Sequence, residues 1–423
     1  MPENGRNCVG FQGIMRHRVL TLVIFLIIFS AINLEVESNR PIRNLASSLT
    51  AAEPVFRSSL KPYMLGNRPP HEPPGDTAHV TPRFEASATV DDWTSYNRVT
   101  VAKGRLVSRM GLVAEIGEVG AALVSLRLPG EDGEAGTGDA LIWSLDHPLH
   151  YLLSAGAVGG VVGPVANRLG GAQASVGDKA LTLLANEGDN LLHSGAASTL
   201  YRFWRLQVRG VGIVAALDLP HGTDGFPGRR QLEARYRFNE TGDTLELDLS
   251  LTSNRDTLVN MTHHPYWNLA GGGPLSTHRL RVPASGALTL DAEHIPTGEV
   301  STPAKAGLNF SRAKSLDVAK GRYDGFLVLP EARDLDAELT VPELGRRLLV
   351  SSNQAGVQVF THPGGTLPAP EAAPDIGAVE HLPEAVCLEP QAHPDAPNHE
   401  GFPSILLPAR QTYENRIRYQ LEW

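Results

Sequence analysis

Two short stretches, far apart along the chain, combine residue types that can transfer protons. The first, residues 260–269 (NMTHHPYWNL), holds the adjacent histidines His263 and His264 together with a tyrosine, a tryptophan and two asparagines. If this stretch is a strand, the two imidazoles point to opposite faces, so only one of them enters a given pocket. The second, residues 387–391 (CLEPQ), places Glu389 directly after an apolar run. Burial there would raise the pKa of the Glu389 carboxyl toward a value that suits a general base.

Three further stretches supply side chains that hydrogen-bond hydroxyl or carboxylate ligands. Asn167 and Arg168 are adjacent, and an arginine presents five donors in a rigid fork. His193 lies beside a glycine turn in residues 190–195 (NLLHSG), and Asp324 precedes a glycine. Taken alone, each residue is also compatible with a structural role, as a surface arginine, a hydrogen-bonded histidine or a turn aspartate. Their chemistry therefore depends on whether the fold brings them together.

Short strands separated by turns are the elements available to position these residues. Thr244 to Thr252 (TLELDLSLT) alternates leucines with polar residues, and Ile417 to Trp423 alternates in the same way. A period of two describes a strand with one buried face. The 42 glycines and 31 prolines favour many turns, and no long stretch has a helical period. We therefore predict an all-β protein, either a sandwich or a barrel.

The charge pattern and the absence of certain motifs exclude several classes of protein. Lys and Arg number 37 and Asp and Glu 46, which gives a net charge of −9. Because no basic block is present, we expect no nucleic-acid partner. No glycine-rich phosphate loop follows a strand pattern, which argues against a nucleotide site. The only cysteines in the sequence, Cys8 and Cys387, do not form a disulfide framework.

The N-terminal segment predicts targeting. Residues 19–32 form an apolar run after Arg16 and Arg18. As a helix this run rises about 21 Å, short of the roughly 30 Å hydrocarbon core of a bilayer. The pattern is typical of a secretory signal, with an uncleaved signal-anchor or a buried core helix as alternatives. We therefore assign 1–38 to a signal peptide or signal-anchor, and expect the remaining chain to be secreted, lumenal or membrane-anchored outside the cytosol.

The segment that follows has the composition of a stem. Eight prolines lie between Asn39 and Val90, and apolar periodicity is absent. Such a segment cannot bury enough surface to offset its ordering entropy. We therefore predict a flexible stem at 39–94 and a folded domain at 95–423.

In chain order, the stretches above and several others resemble motifs of the aldose 1-epimerase (galactose mutarotase) family. Each motif is short, but the ordered set is specific and spans about residues 95–423. The matching segments are 166–169 (ANRL), 190–195 (NLLHSG), 262–269 (THHPYWNL), 295–299 (IPTGE), 323–325 (YDG), 356–361 (GVQVFT), 388–391 (LEPQ), 394–399 (PDAPNH) and 402–404 (FPS).

The resemblance implies a single-domain β-supersandwich, a large antiparallel β-sandwich of the galactose mutarotase type. It implies an enzyme that interconverts the α and β anomers of free hexoses such as glucose and galactose without a cofactor. Glu389 is then the general base and His264 the general acid. The residues implied to hold the aldose are Asn167, Arg168, His193, Tyr266, Asp324 and Gln358.

The reaction explains why these residue types suffice. Opening a hemiacetal ring requires removal of a proton from O1 and delivery of a proton to the ring oxygen. A carboxylate and an imidazolium on opposite sides of the sugar do both, so we expect Glu389 to be ionised and His264 protonated in the resting state. Rotation about C1–C2 presents the other carbonyl face, and the same pair then closes the ring. No electrons move, so the reaction needs neither a metal nor a nicotinamide.

Among the residues that depart from the family motifs, which include His263 and Trp267, the four with most bearing on the site are Ser194, Pro265, Gly325 and Pro390. None of them removes a proton-transfer group, so we expect activity. They leave the preferred aldose open, and the sequence leaves the oligomeric state open as well.

Three other functions stay open at this stage. A hexose-6-phosphate 1-epimerase would need extra cations, for which Arg202 and Arg205 are candidates. A non-catalytic carbohydrate-binding module would bind hexoses without accelerating their interconversion. A metal hydrolase built on His193, His264 and Glu389 has little support, because no paired-ligand spacing is present.

Passage through the secretory pathway would expose three glycosylation sequons, which begin at Asn239, Asn260 and Asn309. Asn239 lies at a predicted turn. Asn260 lies in the stretch that leads to His264, where a glycan would prevent folding. We therefore predict that Asn260 is unmodified.

Overall fold

Strands make up nearly all the regular structure in the computed structural model, which describes residues 84–96, 99–153, 156–369 and 374–423. The predicted signal or signal-anchor at 1–38, and most of the predicted stem at 39–94, lie outside the described residues. Within the described ranges, no helix is both long enough and apolar enough to span a membrane. The α-helix in these ranges is α1 (Pro148–Leu153).

The bounds of the strands follow in chain order. They are β1 (Ser87–Tyr96), β2 (Val99–Val107), β3 (Val113–Gly117), β4 (Leu123–Arg127), β5 (Val161–Val162), β6 (Arg168–Leu169), β7 (Ser175–Val176), β8 (Lys179–Ala180), β9 (Leu191–Leu192), β10 (Arg205–Arg209), β11 (Gly212–Leu219), β12 (Arg230–Phe238), β13 (Thr244–Ser253), β14 (Thr257–Leu258), β15 (Thr262–His263), β16 (Arg279–Arg281), β17 (Gly286–Leu290), β18 (Pro296–Ser301), β19 (Lys314–Ser315), β20 (Asp324–Val328), β21 (Ala337–Val341), β22 (Arg346–Ser352), β23 (Gly356–His362), β24 (Gly365–Leu367), β25 (Val379–Leu382), β26 (Ala385–Gln391), β27 (Leu406–Leu407) and β28 (Thr412–Glu422).

Two large antiparallel sheets form the body of the fold. The larger has nine strands in the order β10-β11-β12-β13-β28-β22-β21-β16-β19, and the smaller has five in the order β18-β17-β20-β23-β26. Leu247 and Ile417 of the larger sheet share one buried cluster with Val359 and Leu388 of the smaller. The two sheets therefore pack face to face across a common core, as in a β-sandwich. The predicted all-β, antiparallel sandwich is confirmed.

The two strands that the sequence predicts most clearly are neighbours in the larger sheet. The alternating stretch from Thr244 forms β13, and the C-terminal alternating stretch lies in β28. Leu247 pairs with Ile417 across these strands, and both are fully buried. The polar residues that alternate with the leucines of β13 lie on the opposite face of the sheet and are half-buried. A period of two therefore correctly identified both the strands and their buried faces.

The ordered β-structure begins earlier than predicted. Strand β1 starts at Ser87 and pairs antiparallel with β2 along its length, whereas the sequence placed 39–94 in a stem and began the domain at 95. In β1 no described position from Ser87 to Ser95 is fully buried; Ala88 and Val90 are half-buried and Thr89 is exposed. The hydrophobic signal of this strand is weak because it lies at the edge of the four-stranded sheet β1-β2-β3-β4. Pairing with β2 supplies the order that the composition did not predict.

Candidate active site

One open cleft of about 430 Å³ is lined by every residue that the sequence singled out for acid–base or sugar-binding chemistry. These residues come from β6, β20, β23 and β26, and from the segments next to β6, β9 and β15. The fold thus brings them together from widely separated parts of the chain. They are Asn167, Arg168, His193, His264, Tyr266, Asp324, Gln358 and Glu389.

Three adjacent strands of the smaller sheet form one wall of the cleft. Glu389 of β26 pairs directly with Gln358 of β23, and β23 pairs in turn with β20, which begins at Asp324. The Gln358 amide donates a 2.6 Å hydrogen bond to the Asp324 carboxylate. Alternation explains the arrangement, because Val386 and Leu388 enter the common core, so Glu389 points to the opposite face. Strand spacing of about 4.8 Å sets these polar groups in a row.

His264 lies beside Glu389, with its Nε2 atom 3.3 Å from Oε1 of the carboxyl group. Backbone hydrogen bonds fix the histidine, because its N–H donates to the Gly160 carbonyl and its carbonyl accepts from the Gly159 N–H. The imidazole also stacks on the Tyr266 ring, with centroids 5.1 Å apart. The Nδ1 atom of His264 and the Oε2 atom of Glu389 are buried without a hydrogen-bond partner among the described residues. The pair is therefore held rigidly and has polar atoms left for a ligand.

His263 points away from the cleft, as strand geometry predicts for the neighbour of His264. Its ring is fully buried, with Nδ1 3.0 Å from the Tyr419 hydroxyl and Nε2 3.0 Å from the Gly159 carbonyl. Burial lowers the pKa of His263 to about 3, so the ring is neutral. Because Gly159 in turn donates to the His264 carbonyl, His263 supports the catalytic candidate from behind.

We expect His263→Ala to lower the free energy of unfolding by about 2–5 kcal/mol, because it removes buried hydrogen bonds and leaves a cavity. Urea denaturation of the variant measures this loss. His381→Ala is the matched control, since the His381 side chain is 94% exposed. A loss below about 1 kcal/mol for His263→Ala would show that the buried network contributes little.

Burial controls the protonation of the Glu389–His264 pair. Burial, reinforced by the charge of Asp324, raises the pKa of Glu389 well above its ordinary value, with Arg168 opposing the shift. Burial lowers the pKa of His264 to about 4. These directions favour a neutral carboxylic acid beside a neutral imidazole, which differs from the carboxylate and imidazolium expected from the sequence. The physical reason is that two charges buried together lose more hydration than a single 3.3 Å contact restores.

His193 and Asn167 form a second, strained part of the wall. Both residues have left-handed backbone conformations, with φ of 52° and 64°. The Asn167 N–H donates to Nδ1 of His193 over 3.1 Å, so the neutral ring carries its hydrogen on Nε2. Burial lowers the pKa of His193 well below its ordinary value, with the nearby charges of His264 and Arg168 adding to the effect. Such strain in non-glycine residues is a frequent mark of a functional site.

Arg168 is held between two carboxylates. Its Nε and one terminal nitrogen lie 2.6 Å and 3.0 Å from the two oxygens of Glu187, and another terminal nitrogen lies 3.8 Å from Asp324. Burial alone would lower the pKa of Arg168, but the bond to Glu187 and the charge of Asp324 raise it. Glu187 lines the cleft and was missed by sequence reasoning. The only feature of the sequence that could have indicated Glu187 is its position as an acidic residue just before the 190–195 motif.

Aromatic side chains form the remaining wall. The Tyr266 hydroxyl donates a 2.6 Å hydrogen bond to the Gly156 carbonyl, and its ring stacks on Trp143 with centroids 4.4 Å apart. Phe360 and His362 also line the cleft, and neither was predicted as a site residue. Since the Tyr266 hydroxyl hydrogen is already bonded to the backbone, only its oxygen and its ring are available to a sugar.

The chain is similar to known proteins over most of its length. The family model for aldose 1-epimerase matches residues 105–420. The chain belongs to this family. It is 29% identical over 329 residues to a galactose mutarotase from Bos taurus, covering 75% of this chain and 92% of that protein. It is 30% identical to an aldose 1-epimerase from Streptococcus thermophilus, covering 61% of this chain and 77% of the relative.

The fold is also that of known epimerase structures. The solved structure of an aldose epimerase homologue from C. elegans superposes with a TM-score of 0.66 at 23% identity, covering 74% of this chain and 96% of that one. At this level of identity the likeness concerns the fold alone. It confirms the predicted galactose mutarotase-like sandwich.

The departures from the aldose 1-epimerase motifs at Ser194, Pro265, Gly325 and Pro390 lie outside the cleft lining. Ser194 is buried, and its hydroxyl donates to the Val165 carbonyl over 2.8 Å. The carbonyl of Pro390 accepts bonds from Thr262 and Asn415, and β26 is an edge strand, where a missing N–H is tolerated. None of the four departing residues contributes to the lining of the cleft. They therefore change the support of the site rather than its surface.

The arginines proposed for a hexose-6-phosphate epimerase do not line the cleft, whereas the residues proposed for a metal hydrolase line it but are not arranged as a metal site. Arg202 lies 3.6 Å from Asp224, Arg205 is on β10 of the larger sheet, and neither lines the cleft. Among the described residues, no group of three or more His, Cys, Asp and Glu side chains is arranged to hold a metal ion. The predicted phosphate contacts of a hexose-6-phosphate epimerase are therefore not at the site.

Proposed function

We propose that this protein is an aldose 1-epimerase that interconverts the α and β anomers of free hexoses such as glucose and galactose. The observation that carries the proposal is the 3.3 Å contact between Glu389 and His264 inside a cleft otherwise lined by sugar-binding side chains. The family membership of the chain and the names of its relatives, galactose mutarotase and aldose 1-epimerase, point to the same reaction.

The side-by-side placement of the pair suits the atoms that react. In a hexose, O1 and the ring oxygen are bonded to the same carbon, C1, so two neighbouring catalytic groups reach both of them. Glu389 and His264 therefore need not lie on opposite sides of the sugar, as was expected from the sequence, and in the structure they lie next to each other. One face of the anomeric centre is therefore sufficient for both proton transfers.

The reaction then proceeds without net proton uptake. Glu389 accepts the O1 proton and His264 delivers a proton to the ring oxygen as the C1–O bond of the ring breaks and the carbonyl forms. After rotation about C1–C2, His264 removes the proton from the ring hydroxyl and Glu389 returns one to O1. The reaction starts from the charged pair, the Glu389 carboxylate beside the His264 imidazolium. This pair holds the same number of protons as the neutral pair, and one proton transfer from Glu389 to His264 converts the neutral pair into it.

The other lining residues are suited to hold the sugar hydroxyls. Gln358 and Asp324 present their polar groups in a row with Glu389. On the other wall, the ring of neutral His193 offers its Nε2–H as a donor, and Asn167 and Arg168 lie beside it. Tyr266 contributes an aromatic face and an acceptor oxygen. These residues are proposed as binding residues, with no part in proton transfer.

Polarimetry on fresh α-galactose and α-glucose tests the proposal. The full-length protein should accelerate the approach to anomeric equilibrium well beyond the rate in buffer. A non-catalytic carbohydrate-binding module would instead give a calorimetric binding signal without any acceleration. Either the absence of acceleration or a requirement for a phosphorylated sugar would overturn the proposal.

The pH dependence of the rate follows from the two pKa shifts. The active Glu389–His264 pair holds one proton, so activity should fall when a second proton binds. Because burial lowers the pKa of His264 to about 4, this second proton should bind near pH 4. Activity should also fall when the pair loses its one proton. Because the pKa of Glu389 is raised, this loss should occur at a pH well above the ordinary carboxyl range. Initial rates corrected for the buffer reaction should therefore form a broad plateau with an acid limb near pH 4. An acid limb at the ordinary histidine value of 6.5 would contradict this reading.

We also propose that the domain acts outside the cytosol, on the strength of the apolar run in residues 19–32. N-terminal peptide mapping of the protein recovered from the medium or from membranes tests this proposal and shows whether the run is cleaved. The buried Asn260, whose amide bonds twice to the Ala392 backbone, is expected to stay unglycosylated in either case.

A further inference from the structure

Glu187 occupies the cleft without a part in the proposed reaction. Its carboxylate binds Arg168 in a two-pronged arrangement, with distances of 2.6 Å and 3.0 Å. The side chain of Arg168 is 13% exposed and that of Glu187 is 40% exposed, so the glutamate lies at the rim and the arginine deeper. A bidentate carboxylate–guanidinium pair is strong and strongly directional. Two of the five donors of Arg168 are therefore unavailable to a substrate.

A tight turn fixes the Glu187 backbone at this position. Its N–H donates to the Asn190 carbonyl over 3.1 Å, and the Asn190 N–H donates back to the Glu187 carbonyl over 2.9 Å. Gly188 supplies the left-handed conformation that the turn requires, with a φ of 59°. The Asn190 side chain is itself anchored, accepting from Gly171 and donating to Glu293. The carboxylate is thus placed by the fold and is not a freely moving surface charge.

The turn also joins Glu187 to the site. It leads directly into β9, which pairs with β6 so that Leu192 lies opposite Arg168. The next residue, His193, lines the same cleft. The arginine, its carboxylate partner and the binding histidine therefore belong to one small structural unit.

The charges that line the cleft sum to a negative value. Arg168 contributes one positive charge, and Glu187 and Asp324 contribute one negative charge each. The Glu389–His264 pair is neutral overall whichever partner holds the proton. Burial lowers the pKa of His193, and also that of His362, so both are uncharged near neutral pH. A sugar that carries its own negative charge therefore enters a site with a net charge of −1.

We propose that Glu187 is a specificity-determining residue that makes the cleft select neutral aldoses over sugars bearing a carboxylate or a phosphate. It does so in two ways, by occupying two of the Arg168 donors that could bind such a group and by adding a negative charge to the rim. A like charge placed against an anionic ligand disfavours that partner more than it disfavours a neutral one. This inference rests on the proposed epimerase function, since it concerns the choice among its substrates.

Steady-state polarimetry on galactose and galacturonate tests the inference. The full-length protein is compared with Glu187→Gln, which keeps the size of the side chain and removes its charge. We expect the ratio of kcat/KM for galacturonate to that for galactose to rise about tenfold in the variant, chiefly through a lower KM for galacturonate. The discrimination by the unaltered protein should also weaken as salt is added, which a purely structural role would not produce.

Glu293→Gln is the matched control, because Glu293 lies on the neighbouring turn, contacts Asn190 and does not line the cleft. It should leave the substrate ratio within about twofold of the unaltered protein. If Glu187→Gln keeps its activity on galactose and also leaves the ratio within that limit, Glu187 does not determine specificity. If the unaltered protein does not act on galactose at all, the proposed function fails instead, so the two failures are distinguishable.

Discussion

Replacing Glu389 with glutamine is expected to lower kcat for galactose by about a thousandfold, because a positioned proton-transfer group contributes roughly 10²–10⁴-fold and the amide cannot take the O1 proton. The protein should remain folded, since burial already favours the neutral carboxylic acid, which glutamine matches in shape and charge. The Kd for galactose should change by less than about tenfold, because the hydroxyl-binding residues remain. Polarimetry measures the rate, and isothermal titration with galactose measures the binding.

The control for this experiment is Glu293→Gln, which makes the same chemical change at an exposed residue outside the cleft lining. It should keep the rate of the unaltered protein. If Glu389→Gln retained more than about a tenth of the activity, Glu389 would not be the general base, and the base would have to be sought among the other cleft residues.

His264→Gln is expected to have the second-largest effect, a loss in kcat of about 10²–10³-fold. Glutamine can donate a hydrogen bond to the ring oxygen but cannot release a proton to it at a useful rate. The acid limb near pH 4 should disappear with the imidazole, whereas a merely structural loss would leave the shape of the profile unchanged. Rate–pH profiles of the variant and the unaltered protein measure both effects.

His362→Gln provides the control for His264→Gln, since His362 lines the same cleft and no described contact joins it to Glu389. It should reduce kcat only slightly. The double variant of Glu389 and His264 should be little slower than the slower single variant, because two groups that act as one unit lose their contribution together. Losses that multiplied in the double variant would show that the two residues work independently.

The strand content and the main sheet positions were predictable because half-buried strands leave a strict period of two. Strands β13 and β28 carry leucine or other apolar residues at most alternate positions, and both were identified. Trp423, at the end of the second alternating stretch, is 38% exposed. Strand β1 was not identified, because its sequence is mostly polar and none of its described side chains from Ser87 to Ser95 is fully buried. Its order comes from hydrogen bonds to β2, which no local pattern records.

Residue types and their order also selected the candidate site. The eight residues implied by the family resemblance all line one cleft. Strand alternation predicted that only one of His263 and His264 enters a given pocket, and His263 lies in the core. Glu187 was not selected, because an acidic residue in a polar turn has no local feature that distinguishes it from a solvent-exposed charge. Only its distance to Arg168 reveals its part in the cleft.

The sequence by itself determined the class of fold, because half-buried strands leave a local period of two. Its resemblance to the aldose 1-epimerase family implied the pair of residues that transfers protons and the kind of substrate. The tertiary structure alone decided that Glu389 and His264 lie side by side, that burial favours their neutral forms, and that Glu187 occupies the fork of Arg168. The physical reason is that proton affinity and charge balance depend on distances and hydration. Both are set by how separate strands pack together, and neither is encoded in any one stretch of chain.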